Sequence, residues 1–218
     1  MKLRLFIIIS CSFTATNAQN IKSIGFKGGI NRSNQEWNYN NISVDSKYQA
    51  RNFGSYFLSA DFFAKKYLSV VGDLGYISKG RALTVQITDD VGNYLGFSKF
   101  VERFSYLTFN PQIKFHYDIH KFSPYLFGGP HADLFIKHKD HISNLSDNKT
   151  YYTNPKGNAI ILGITYGVGC EYRAGRYGLQ IEIQDHHDLT PVYKNSNLSI
   201  TGTNYIITLG LKYFLHKI

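Results

Sequence analysis

The 218-residue sequence contains no apolar run of the roughly twenty residues that a membrane-crossing helix needs. It has two cysteines, Cys11 and Cys170, and no proline- or glycine-rich linker or composition break that would divide it. No helical pattern follows the glycines at Gly25, Gly28 and Gly29, so they are strand glycines and not a phosphate cradle. No nucleophile stands at a recognisable spacing from a base. These gaps remove helical membrane spans, a disulfide-stapled scaffold, a nucleotide loop and an evident hydrolase motif.

What the N-terminus does contain is a basic start, Met1-Lys2-Leu3-Arg4, a short apolar stretch from Leu5 to Ile9, and small residues ending in Thr16-Asn17-Ala18. This pattern predicts a secretory signal peptide over residues 1–18, leaving 19–218 as one domain; a buried N-terminal strand is the competing reading. A cut after Ala18 discards Cys11 and leaves Cys170 alone, without an intramolecular disulfide. Ile8-Ile9-Ser10-Cys11 also loosely resembles a lipoprotein signal that would lipidate Cys11, although its apolar core is short. Losing Lys2 and Arg4 lowers the net charge from +9 to +7. That charge is dispersed, which suits anionic headgroups and argues against nucleic acid as a partner.

Eight segments alternate apolar residues with polar residues or glycine: about 21–31, 53–64, 67–79, 103–117, 122–137, 159–172, 177–185 and 204–214. A period of two marks strands. The connections alternate long and short, with long ones at Arg32–Asn52, Gly80–Glu102, His138–Asn158 and before Thr203. Short turns include Lys65-Lys66, Asp118–Lys121 and Arg173–Arg176. The predicted fold class is therefore all-β: an eight-stranded, antiparallel, up-and-down transmembrane β-barrel. Its short turns are periplasmic, its long loops extracellular, and its location the bacterial outer membrane. Pro111 sits awkwardly in the fourth segment and requires a bulge or local break.

One face of each segment is apolar, as in Leu107, Phe109, Ile113 and Phe115; the other carries glycines and charges of both signs. Lys27, Asp61, Asp73, Lys114, Asp133, Glu171, Glu182 and Lys212 are predicted to form a polar network in the lumen, and Lys137 joins the same face. Eight strands leave a lumen just wide enough for side chains, so buried acids and bases there must pair. The structural rival is a soluble, lipocalin-like lipid-binding barrel, which would turn its apolar face inward.

Leu68-Ser69-Val70-Val71-Gly72-Asp73-Leu74-Gly75-Tyr76-Ile77-Ser78-Lys79-Gly80 resembles the third-strand pattern of the PorT-like outer-membrane β-barrel family of Bacteroidetes. Tyr106-Leu107-Thr108-Phe109-Asn110-Pro111 is similar to its Tyr-Leu-x-x-x-Pro strand. Pro124–Pro130 and Gly167–Tyr172 resemble two further strands. The resemblance implies an eight-stranded outer-membrane barrel and, from the namesake, a connection to protein secretion. One departure is that Phe214 is followed by Leu215-His216-Lys217-Ile218, where such barrels commonly finish on an aromatic residue.

The candidate chemistry is confined to His138-x-x-His141 and the run Asp185-His186-His187-Asp188, in or beside long loops. Zinc needs three or four convergent ligands, and neither cluster supplies them alone. No catalytic residue, metal or cofactor is assigned, and the leading expectation is a non-enzymatic structural or accessory protein. A membrane-embedded hydrolase or acyltransferase using the rim run is the alternative. Trp37 and Tyr39, with Tyr94, Phe97 and Phe100, offer an aromatic loop surface for envelope or secretion partners, or else cover the barrel rim at the lipid.

Overall fold

The computed structural model describes residues 21–39, 49–63, 65–143, 148–151, 158–194, 196 and 198–215. The signal peptide expected at 1–18, Cys11 within it, and residues 216–218 lie outside these. The described residues form no helix and ten strands: β1 (Ile21–Tyr39), β2 (Gln49–Phe62), β3 (Leu68–Thr88), β4 (Tyr94–His116), β5 (Phe122–Ser143), β6 (Asn148–Tyr151), β7 (Ile160–Ala174), β8 (Tyr177–Asp188), β9 (Tyr193–Lys194) and β10 (Leu198–Phe214). Eight of them make a closed ring in the order β1-β2-β3-β4-β5-β7-β8-β10. Antiparallel pairing of β10 with β1 closes it, from Ser23↔Phe214 to Tyr39↔Leu198. The short β6 and β9 pair with β5 and β10 outside the ring.

The alternation of the sequence sets the two faces of the wall. Phe26 is 53% exposed while its neighbour Lys27 is fully buried. The same reversal runs along every ring strand: Leu58, Leu74, Phe109, Leu126, Ile164, Ile181 and Leu209 point outward, and the intervening polar residues point in. The apolar face is therefore outside, opposite to a lipocalin-like arrangement. Tyr67 and Tyr117 stack at 6.2 Å, Phe122 and Tyr172 meet at 5.0 Å, and Tyr177 and Tyr213 at 5.6 Å. These pairs sit by the short turns, where an interfacial aromatic girdle belongs.

The expected long loops hold more strand than the sequence reading placed there, β1 running to Tyr39 and β5 to Ser143, and one inward residue differs; the break expected at Pro111 is present. Segment Gly80–Glu102, expected as a loop, is mostly strand: β3 and β4 stay paired through Arg81↔Glu102 and Leu83↔Phe100 up to Ile87↔Gly96. The ladder continues there although both strand faces become exposed from Thr84 to Gln86, which removes the alternation that marks a strand. Lys137 is exposed, not lumenal. Ser105 pairs with Lys137 but Tyr106 with Phe135, so Ile136 is an extra residue whose bulge turns His138 inward. At Pro111 the β4–β5 ladder is interrupted between Phe109↔Ala132 and Ile113↔Gly128, then resumes in unchanged register. The missing N–H of Pro111 thus falls in a gap.

Glycines on opposite faces of β3 test the face assignment. A Cβ at outward Gly72 meets nothing closer than Phe62 Cε2 at 3.4 Å. A Cβ at inward Gly75 collides with the Phe57 ring and lies 2.6 Å from the Tyr56 carbonyl oxygen. Gly75→Ala is expected to cost about 1–3 kcal/mol, and Gly72→Ala to stay within about 0.5 kcal/mol. Urea titration, read as the folded fraction by gel migration without boiling, checks both.

Candidate functional site: the charged lumen

Inward-facing side chains gather in two groups. Toward the periplasmic end, Lys27 Nζ lies 2.6 Å from Asp73 and 2.8 Å from Glu182, spanning from β1 to β3 and β8. Lys212 Nζ lies 2.8 Å from Asp61 and 3.1 Å from Glu171, while Lys114 lies 3.4 Å from Glu171 and 3.8 Å from Asp61. The Tyr125 hydroxyl donates to Glu182 at 2.8 Å, and its ring centroid lies 4.0 Å from Lys114 Nζ, linking the two sets. Arg173 Nε donates to Glu171 at 2.6 Å and Arg173 Nη1 to Asp118 at 3.0 Å, which caps the end of the lumen. In that turn, burial works to raise the Asp118 carboxyl, but the Ser123 hydroxyl and the Arg173 charge prevail and hold it below its ordinary value.

Seven of the eight residues expected in the network belong to this group. Small residues make room for its long ones: Gly25 pairs with Lys212 and Gly210 with Lys27. A Cβ at Gly25 would lie 2.9 Å from Lys212 Cγ, and one at Gly210 2.8 Å from Lys27 Cγ. The lysines and Arg173 match Asp61, Asp73, Glu171 and Glu182 charge for charge. A buried ion is costly unless its partners are present, so the group stands or falls together.

Asp133, the eighth, lies toward the extracellular side with residues that the sequence did not assign to the network. Lys79 Nζ contacts Asp133 Oδ2 at 2.6 Å and also Asp188 Oδ1. His186 Nε2 lies 3.0 Å from Asp133 Oδ2, and His131 Nε2 lies 3.3 Å from Asp188 Oδ1. The two imidazoles stack with centroids 3.5 Å apart, and both Nδ1 atoms meet Thr165 Oγ1, at 3.0 Å from His131 and 2.9 Å from His186. One ligand atom from each of His131, Asp133, His186 and Asp188 lies within 4.8 Å of all the others, a donor set able to hold a metal ion.

The run Asp185-His186-His187-Asp188, expected at the rim, is strand β8, and alternation divides it. His186 (0% exposed) and Asp188 (2%) enter the lumen, whereas Asp185 accepts a hydrogen bond from the outward Tyr166 hydroxyl at 2.9 Å and His187 is exposed. They are not solvated loop residues. The structure does not bring His138 and His141 together either: three residues apart on a strand, they face opposite ways. His138 stacks on Phe104 at 4.2 Å and lies 2.8 Å from Asp140, and His141 is exposed. Tyr94 and Phe97 meet edge to face at 5.4 Å on β4, and the side chains of Trp37 and Tyr39 lie outside the described residues. The sequence did carry a signal for the upper group. His-x-Asp occurs at 131–133 and at 186–188, and a spacing of two puts both members on one face.

An apolar exterior around a charged, ion-paired lumen is stable with lipid outside, and it defines this chain as an outer-membrane β-barrel by class. No protein-family model matches the chain, and no curated protein matches it in sequence. Among solved structures it is similar to the outer membrane protein OprG from Pseudomonas aeruginosa (TM-score 0.46, 9% identity, 90% of this chain and 97% of that one). It is also similar to the E. coli Outer Membrane Protein W (0.44, 12%, 90% and 99%) and to the outer membrane protease OmpT from Escherichia coli (0.35, 11%, 90% and 95%). These are likenesses of fold, from which no activity is carried over.

Lys27→Met leaves Asp73 and Glu182 without their shared cation and is expected to cost about 3–5 kcal/mol. Urea unfolding in micelles measures it. An unchanged midpoint would mean that the pairing contributes little.

Proposed function

We propose that this chain is a non-enzymatic integral protein of the bacterial outer membrane that binds envelope or secretion partners through the part of its wall standing outside the bilayer. The observation that carries this reading is the filled lumen. Lys27 reaches from one wall to two others, Lys79 does the same higher up, and Tyr106, Phe57, Ile77 and Ile206 are buried between them. A solute has no route through such a cross-section, so the outer surface is what remains to act.

That surface is large. A membrane-crossing strand needs about 9–11 residues, whereas β3 has 21, β4 has 23 and β5 has 22. The excess lies at the extracellular end, as a β3–β4 hairpin exposing Val85, Tyr94, Leu95 and Phe97 beside β5. A cleft lined by Arg81, Leu83, Phe100, Glu102, Asp140 and His141 opens at its base. Kinship with the PorT-like barrels, and with it an accessory role in secretion, belongs to the same reading and rests on the ordered motifs of β3, β4, β5 and β7. Enclosure of His186 and Asp188, away from any substrate-sized opening, favours this over a rim enzyme.

Two outcomes are expected. In planar bilayers the folded protein should give no steady conductance. Shortening the hairpin between Thr84 and Phe97, or the segment 40–48, should leave a heat-modifiable barrel in the outer membrane while removing proteins captured by crosslinking. Capture unchanged in both trimmed forms contradicts the proposal.

A further inference from the structure

We propose that His131, Asp133, His186 and Asp188 form a site for one divalent transition-metal ion of the zinc class, enclosed in the upper lumen. The donor set is mixed imidazole and carboxylate, the chemistry zinc accepts. Three of its donor separations are close to what the metal imposes, and the two stacked rings must splay from their present near-parallel arrangement for both Nε2 lone pairs to meet one ion. A tetrahedral ion with bonds of about 2.0–2.1 Å separates its ligand atoms by roughly 3.4 Å. Here His186 Nε2 and Asp133 Oδ2 are 3.0 Å apart, His131 Nε2 and Asp188 Oδ1 3.3 Å, and His131 Nε2 and Asp133 Oδ2 3.9 Å.

Thr165 supplies an independent observation. An imidazole that binds metal through Nε2 keeps its proton on Nδ1 and donates it to an outer partner. Thr165 Oγ1 has two lone pairs and lies 3.0 and 2.9 Å from the two Nδ1 atoms, so it can accept from both rings at once. The same pair of tautomers without a cation would aim two bare Nε2 lone pairs at two carboxylates. Lys79 shows that these oxygens hold a cation, since its ammonium rests between Asp133 Oδ2 and Asp188 Oδ1. The other oxygens, Asp133 Oδ1 and Asp188 Oδ2, are buried and have no hydrogen-bond partner. They give Lys79 a place to move when a metal takes the first two.

Because the cluster is enclosed, zinc is loaded by refolding the full chain into micelles with the ion present, followed by desalting. Bound zinc is then counted by mass spectrometry and its ligands read by X-ray absorption. The native chain should retain one zinc per barrel with two nitrogen and two oxygen ligands. The double variant His131→Gln/His186→Gln should lose it, and Thr165→Val should bind about 10–100-fold more weakly. Lys79→Met, which removes the competing cation, should bind at least about tenfold more tightly. Gel migration without boiling confirms that each barrel is folded; should the double variant fail to fold, Thr165→Val and Lys79→Met decide. The proposal is overturned by a folded native chain that retains no zinc, whether or not Lys79→Met retains it. Zinc held equally well by the folded double variant, or by Thr165→Val and Lys79→Met without change, also overturns it and means adventitious binding to exposed histidines such as His141 and His187.

Discussion

Everything in this structure depends on the closure of β10 onto β1. Lipid offers no hydrogen bond to an unpaired backbone N–H or carbonyl, so a strand wall inside it cannot have an edge. The continuous register from Ser23↔Phe214 to Tyr39↔Leu198 removes the edge. Once the ring is closed, alternation is compulsory: each strand sends every second side chain to lipid and every other one into a lumen of eight-strand bore. The lumen is too narrow for bulk water, so charged groups in it must find countercharges, and the ion-paired clusters follow from that.

The two lumenal groups meet the demand differently. In the lower one, lysines and Arg173 balance Asp61, Asp73, Glu171 and Glu182, and glycines at 25 and 210 clear space for the long stems. Its role is to make a charged interior tolerable, and it does so by plugging the barrel. In the upper one, a single lysine faces Asp133 and Asp188, and the remaining polar groups are two stacked imidazoles held by one threonine. Among the described residues that group sets two imidazoles beside two carboxylates, which is why a metal ion is proposed there.

Much of this was legible in the sequence, because period two is the direct imprint of a two-faced wall. The strands, the outward row from Ile24 to Leu211 and the inward position of charges such as Lys27 and Glu182 could all be read from local pattern. Three things could not. The outer end of β3 was hidden because both its faces are exposed, so Thr84–Gln86 lacks alternation while its ladder continues. The bulge at Ile136, which exchanges Lys137 for His138, leaves no compositional mark. Register was the third. His131 and His186 are distant in sequence and meet because β7 lies between their strands, pairing Gly163 with His131 and Thr165 with His186. Sorting residues by charge grouped Asp133 with the lower network; only register places it with Lys79.

The central claim is that lipid surrounds the apolar face. Trp37 is the only tryptophan, so a Trp37→Phe background allows one reporter at a time in vesicles. Leu209→Trp places it on the outer wall, and Asn34→Trp on the exposed extracellular part of β1. The expected result is that brominated acyl chains quench the reporter at 209 while aqueous iodide does not, with the reverse at 34. Quenching at 209 by iodide alone would contradict the account, since the apolar face would then stand in water.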